Sequence, residues 1–224
     1  MVLNRASRKE ADVRLQSLRR QVTLHAFTTR LEDDTCRAAR QAAEELAETT
    51  SRLSVEISDA TESGDLLRKY RVDAVPALVA SAKGAPEYRL YGIPLSYALV
   101  ALLDAMVSLG SSAEPRDELV QLLSGTVERG DRSSSSTRLD LVVSRRDPAT
   151  VEAAAILHRV ALASAWAERS PHVVSAVRVV EDFPLWTALI GSATAPVVFL
   201  DGKPVLSWPF ADIDLAGLVA DGHR

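Results

Sequence analysis

Apolar and polar positions fall into short blocks, and the blocks come in a fixed order along the chain. Residues 22–27 are mainly apolar and read as a strand. A helical run follows over 34–49, with alanines and Leu46 along one side. Residues 53–57 alternate apolar and polar, the pattern of a strand with one buried face. A short helix is predicted over 65–70, then strands over 77–80 and 88–91. Lys83-Gly84 between them is a hairpin signal, and a helix over 95–107 closes the series.

The same order then returns. A strand is predicted over 138–143, a long helix over 148–169, a strand over 173–180 and a short helix over 184–189. Strands over 197–200 and 205–208 flank Asp201-Gly202-Lys203, and a last helix covers 213–219. The order β-α-β-α-β-β-α therefore occurs twice. A β-α-β start requires a parallel pair with a right-handed crossover, and the later hairpin adds an antiparallel strand. The expected class is α/β: two tandem folds, each a mixed sheet with helices on both faces. Gly110-Ser111-Ser112 ends the first series, a helix over 115–123 bridges, and residues 125–137, with four consecutive serines from Ser133 to Ser136, read as a linker. The division expected is 1–110, 111–137 and 138–224.

At 224 residues there is room for one large domain or two of about 100 residues. Hydrophobic residues make up 47% and charged ones 25%, which excludes a disordered chain. A net charge of −4 gives no electrostatic reason to expect nucleic acid. The one basic cluster, Arg5, Arg8, Lys9, Arg14, Arg19 and Arg20, is spaced like the wet face of an N-terminal helix. The N-terminus lacks the apolar core of a signal peptide. Residues 95–109 are interrupted by Asp104 and are too short for a bilayer, and 153–167 carry His158 and Arg159, so no membrane partner is expected. The single cysteine, Cys36, excludes an intrachain disulfide, and a reducing cytoplasm is the expected setting.

Val75-Pro76 and Ala195-Pro196 each place a proline directly before the third strand of a half. Together with Leu53-Ser-Val-Glu-Ile57, Lys69-Tyr70-Arg71-Val72 and Tyr91-Gly92-Ile93-Pro94, the first half resembles the tandem, glutaredoxin-like protein disulfide oxidoreductases. The second half is similar through Glu181-Asp182-Phe183-Pro184-Leu185-Trp186. The N-terminal domain of the alkyl hydroperoxide reductase flavoprotein shares this tandem plan. The resemblance spans roughly residues 10–220 and implies two thioredoxin folds, with Pro76 and Pro196 as the cis-prolines facing the active-site helix. Those families carry Cys-x-x-Cys where that helix begins. Here the place reads Asp33-Asp34-Thr35-Cys36 in one half and Asp147-Pro148-Ala149-Thr150 in the other, so neither half keeps a redox pair.

Cys36 stands where the resemblance implies the sheltered second cysteine, behind Glu32, Asp33 and Asp34, which disfavour a thiolate. It is read as a small core residue. Asp33 and Asp147 are read as N-caps, with Pro148 at the first helical position. His25, His158, His172 and His223 show no metal-ligand spacing, and no metal or cofactor is expected. Trp186, Trp208, Tyr88 and Tyr91 are read as packing residues. The expected function is a degenerate thioredoxin-fold protein that binds a protein or peptide, through Asp33, Val75, Pro76, Asp147, Ala195 and Pro196, with a redox enzyme among the candidate partners. The alternative is a single-cysteine oxidoreductase using Cys36 with glutathione or a partner thiol.

Overall fold

The computed structural model describes residues 2–29, 33–111, 114–124, 136–167, 172–190 and 196–221. The first half runs α1 (Arg5–Leu15), β1 (Val22–Thr28), α2 (Asp34–Ala47), β2 (Leu53–Asp59), α3 (Gly64–Tyr70), β3 (Ala77–Ser81), β4 (Tyr88–Tyr91) and α4 (Ser96–Ser111). After α5 (Asp117–Ser124) come β5 (Ser136–Val143), α6 (Ala149–Trp166), β6 (His172–Val179), a single 3-10 turn (Val180–Asp182) and α7 (Pro184–Ile190). The chain continues through β7 (Val197–Leu200), β8 (Lys203–Ser207) and α8 (Asp212–Asp221). Each predicted element is present, with its ends moved by a few residues. The largest shift is at α4, which runs on to Ser111; at β5, Ser136 and Thr137 leave the expected linker and pair with His172 and Val173. Residues 125–135, the rest of that linker, lie outside the described residues.

Each half has the same internal strand order, but the two sheets are not separate. They form one sheet in the order β2-β1-β3-β4-β6-β5-β7-β8. The join is the parallel pair β4–β6, with Leu90 opposite Val177 and Tyr91 opposite Arg178. Both strands are edges of their own half, and an edge leaves backbone N–H and C=O groups unpaired. Pairing the two edges over Leu90–Tyr91 and Val177–Arg178 satisfies groups there and doubles the sheet while keeping the repeat. The join is tight at Gly92, whose φ of +113° suits glycine. A Cβ there would collide with the Asp182 carboxylate and with Val179, and the next residue, Ile93, donates its N–H to Asp182 Oδ2 at 2.8 Å.

Side chains alternate across the strands, and the two faces differ. One face is continuous: Leu24, Leu78, Leu90, Leu141, Val177 and Val198 share a core with Leu102 and Met106 of α4 and Leu157 of α6. This core crosses the join without interruption. The other face is divided. Phe27, Tyr70, Ala77, Val79 and Tyr91 cluster under α3, and Val142, Val197 and Phe199 cluster under α7 with Trp186 packed on them.

The N-terminal basic face is less solvated than its spacing implies. Arg19 and Arg20 lie beyond α1. Arg8 pairs with Glu45 at 3.0 Å, and Arg14 pairs with Glu10 and with Asp104 of α4. Arg20 donates to the Leu109 carbonyl at 2.6 Å. Glu45 also accepts from the backbone N–H of Val2 and Leu3 at 2.8 and 2.9 Å. These contacts clamp the first helix to the body of the fold.

Candidate functional site

Strands β1, β4, β6 and β5 run in one direction, and β3 and β7 run against them. The loops carrying Asp33 and Asp147 follow the ends of β1 and β5, while Pro76 and Pro196 lead into β3 and β7. All four therefore gather at one end of the sheet. β1 and β5 are four strand positions apart, so the two degenerate sites are separated by about 19 Å at roughly 4.8 Å per strand.

In the first half, Asp33 caps α2 from extended backbone, φ −70° and ψ 165°, and its carboxylate accepts from Cys36 N–H at 2.7 Å. Cys36 is buried, 2% exposed. Its Sγ lies 3.9 Å from Thr29 Oγ1. Burial pushes the thiol pKa up and the Asp33 carboxylate adds to this, while hydrogen bonds from Thr29 act the other way. The net effect is a protonated, sheltered thiol. The Val75–Pro76 peptide bond is cis, and the Pro76 carbonyl accepts from Gly92 N–H at 3.0 Å. Among the described residues, no backbone group pairs with the N–H or C=O of half-buried Val75.

The second half reproduces this arrangement with different chemistry. Asp147 Oδ1 accepts from Ala149 N–H at 2.9 Å, and Pro148 already has helical angles, φ −60° and ψ −27°. Asp147 is thus the capping residue and Pro148 the first residue of the turn, one place before the first hydrogen-bonded helical residue. Thr150, at the place of Cys36, is fully buried, and its hydroxyl donates to the Ser144 carbonyl at 2.7 Å. In both halves the residue just past the strand end meets the residue at this place, Thr29 through its hydroxyl and Ser144 through its backbone carbonyl. The Pro196 carbonyl accepts from Trp208 N–H at 3.0 Å, as Pro76 does from Gly92. Ala195 lies outside the described residues, and the second cis bond described is Trp208–Pro209.

The loop before Asp147 is held on several sides. Ser144 Oγ donates to Glu181 at 2.5 Å and Arg145 N–H to the same carboxylate at 3.2 Å. The Arg145 side chain pairs with Asp182, and its carbonyl accepts from Tyr97 N–H of the first half at 3.2 Å. Asp33 and Asp34 are exposed.

Sequence reading missed a charged cluster at the join. Arg178 is 2% exposed, and its Nε donates to Asp140 Oδ1 at 2.7 Å. Its Nη2 lies 3.0 Å from each oxygen of Asp73. Its guanidinium sits over Tyr91 at 4.2 Å and Trp186 at 4.8 Å. Arg138 completes the group, donating to Asp140 at 2.7 Å and to Asp73 at 2.6 Å. Burial acts to raise the Asp73 carboxyl pKa, but Arg178 and Arg138 more than offset it and hold it below the usual range. A signal was present: Arg178 is a lone charge inside an apolar strand and Asp140 stands between Leu139 and Leu141, where each must find an opposite charge. Trp186, Tyr88 and Tyr91 are packing residues as expected: Trp186 meets Phe199 edge-on at 5.2 Å, and both tyrosines are buried.

Comparison with known proteins extends over nearly the whole chain. The fold is similar to a protein disulfide oxidoreductase from Aeropyrum pernix K1, with a TM-score of 0.82 and 17% identity, covering 97% of this chain and 92% of that one. It is similar to the NTD_N/C domain of the alkylhydroperoxide reductase AhpF from Enterococcus faecalis, with a TM-score of 0.77 and 16% identity, covering 97% and 99%. Sso1120 from Sulfolobus solfataricus matches at a TM-score of 0.57 and 11% identity, over 89% of this chain and 98% of that one. No protein-family model and no curated protein matches the sequence. At these identities the likeness is one of fold: the chain is a tandem thioredoxin-like α/β protein. Among the described residues, no helix is long and apolar enough to cross a membrane.

Proposed function

We propose that this protein is a thioredoxin-fold binding protein without dithiol catalysis, acting in the reducing cytoplasm as a scaffold or accessory subunit for a protein or peptide, a redox enzyme among them. The first site is the one assigned to binding. The observation that carries the reading is Val75, whose backbone N–H and C=O have no backbone partner among the described residues, at the same end of the sheet as the exposed, Asp33-capped start of α2. An extended segment laid alongside Val75 gains main-chain hydrogen bonds, in the manner of strand addition. Asp33 and Pro76 flank that segment, while Asp147 and Pro196, held by hydrogen bonds within the second half, serve mainly to keep the frame rigid. Burial of Cys36 and its raised pKa support binding over thiol exchange at this place.

The test is hydrogen exchange of the Val75 amide, followed while 15N-labelled protein is titrated with a library of extended peptides. Selective protection of Val75 by a binding peptide is expected, retained in Cys36→Ser and weakened in Val75→Arg. Peptides that bind without protecting Val75, or whose binding disappears in Cys36→Ser, would overturn the assignment.

A further inference from the structure

On the continuous face of the sheet, α4 and α6 lie side by side, and between them is a cavity of about 170 Å³. Its lining includes the short side chains Ala101 and Ala105 from α4 and Val151 and Ala154 from α6, together with the charged Asp104 and Arg159. His158 also lines it and is 4% exposed. Among the described residues, neither ring nitrogen of His158 has a hydrogen-bond partner. The ring of Tyr88 packs edge-on against it, with centroids 5.6 Å apart and planes at 88°. The hydroxyl of Tyr88 is likewise buried and without a partner. Buried polar groups are almost always paired, because leaving them unpaired costs stability. An unpaired histidine in a cavity wall, with a second unpaired group packed on its ring, is a feature that packing alone does not require.

We propose that the α4–α6 cavity binds a small uncharged single-ring molecule bearing a hydroxyl or ring N–H, which hydrogen-bonds to His158. The size fits, since an apolar cavity of about 150 Å³ holds benzene. The charge follows from the surroundings. His158 is neutral, its pKa lowered to about 4 by burial and then by neighbouring Arg159. A neutral imidazole offers one donor and one acceptor. The charges at the mouth are already used: Asp104 pairs with Arg14, and Arg159 pairs with Asp212 at 3.1 Å. A charged ligand would be desolvated without a free counter-charge. The mouth has an opening, because Val151, Ala155 and Arg159 are only half-buried. This site is independent of the binding surface at Val75.

The experiment uses the full chain with 15N-labelled histidine, titrated with phenol, pyrazole and benzene. Phenol and pyrazole are expected to shift the His158 ring nitrogens saturably, with a Kd on the order of 1 mM. Benzene is expected to bind at least about tenfold more weakly. In His158→Phe the preference for phenol over benzene should vanish. Ala155→Leu, which narrows the mouth, should abolish binding of all three while leaving the His158 signals of the free protein in place. Equal affinity for benzene and phenol in the unaltered protein, or a phenol preference that survives in His158→Phe, overturns the proposal. So does the absence of a saturable His158 shift, which requires no variant to fold.

Discussion

Arg178, at the end of β6, holds both carboxylate oxygens of Asp73, each 3.0 Å from its Nη2, although the two residues belong to different halves of the chain. The same guanidinium binds Asp140 within its own half at 2.7 Å. Removing one member of a buried ion pair strands the other without compensation, whereas replacing both with apolar groups is often nearly neutral. Arg138 still donates to Asp140 at 2.7 Å when Arg178 is gone, so Arg178→Met is expected to lower stability by less than the about 3–5 kcal/mol of a fully stranded buried charge, read in urea unfolding. Asp73 is about half exposed, so Asp73→Asn should cost about 1 kcal/mol or less. The double variant Arg178→Met with Asp140→Leu should recover most of the loss. If it is no better than Arg178→Met alone, the join is held by something other than this cluster.

The caps make a paired prediction. Asp33 and Asp147 each accept one backbone N–H in the first turn, from Cys36 and Ala149. Asp33→Ala and Asp147→Ala should each lower stability by about 1 kcal/mol, and the Asn variants by much less. Equal stability of Asp33→Ala and the unaltered protein would mean that Asp33 is kept at that position for a ligand and not for the helix.

Cys36 should behave as a buried thiol. At pH 8 iodoacetamide is expected to alkylate it more slowly in the folded protein than in urea, because burial both raises its pKa and excludes the reagent. No appreciable turnover is expected with insulin, since release of a trapped mixed disulfide needs a second thiol and the chain has none, nor with a glutathione mixed disulfide, where glutathione supplies that thiol but buried Cys36 offers no accessible thiolate. Glutathione-dependent turnover that is lost in Cys36→Ser would restore the single-cysteine enzyme as the better reading.

His158 sets a direction for pH dependence. Its folded pKa of about 4 lies below the ordinary 6.5. The unfolded chain therefore binds a proton at pH values where the folded one does not, and stability is lost as pH falls from about 6.5 to about 4. The contribution is about 3 kcal/mol over that window. It is complete above pH 6.5 and levels off below 4. Tyr88, Arg159 and Asp104 surround the ring, so the loss is best isolated as the difference between the unaltered protein and His158→Phe. Parallel stability curves for the two between pH 4 and 6.5 would show that the imidazole is not buried neutral.

The elements of this fold were legible because each is encoded locally. Alternation marks β2, the alanine and Leu46 stripe marks α2, and Lys83-Gly84 and Asp201-Gly202 mark the hairpins. The caps were legible for the same reason, since Asp33 and Asp147 act on N–H groups two or three residues away. What the chain order did not contain was the pairing of β4 with β6. Two edge strands can meet each other or remain apart with the same local pattern, and only the packing of α4 against α6 and the Arg178 cluster decides between them. The roles of Arg178, Asp140 and Asp73 were hidden because their partners lie up to 105 positions away. His158 was hidden because a histidine on a helix face looks the same whether it meets solvent or a cavity. Sequence determined which segments are helix, strand or cap, through interactions that span a single turn. Tertiary structure decided that the two halves share one sheet, that a charged cluster holds them, and that the surviving thiol is shut away, because burial and charge pairing depend on groups brought together only when the chain closes on itself.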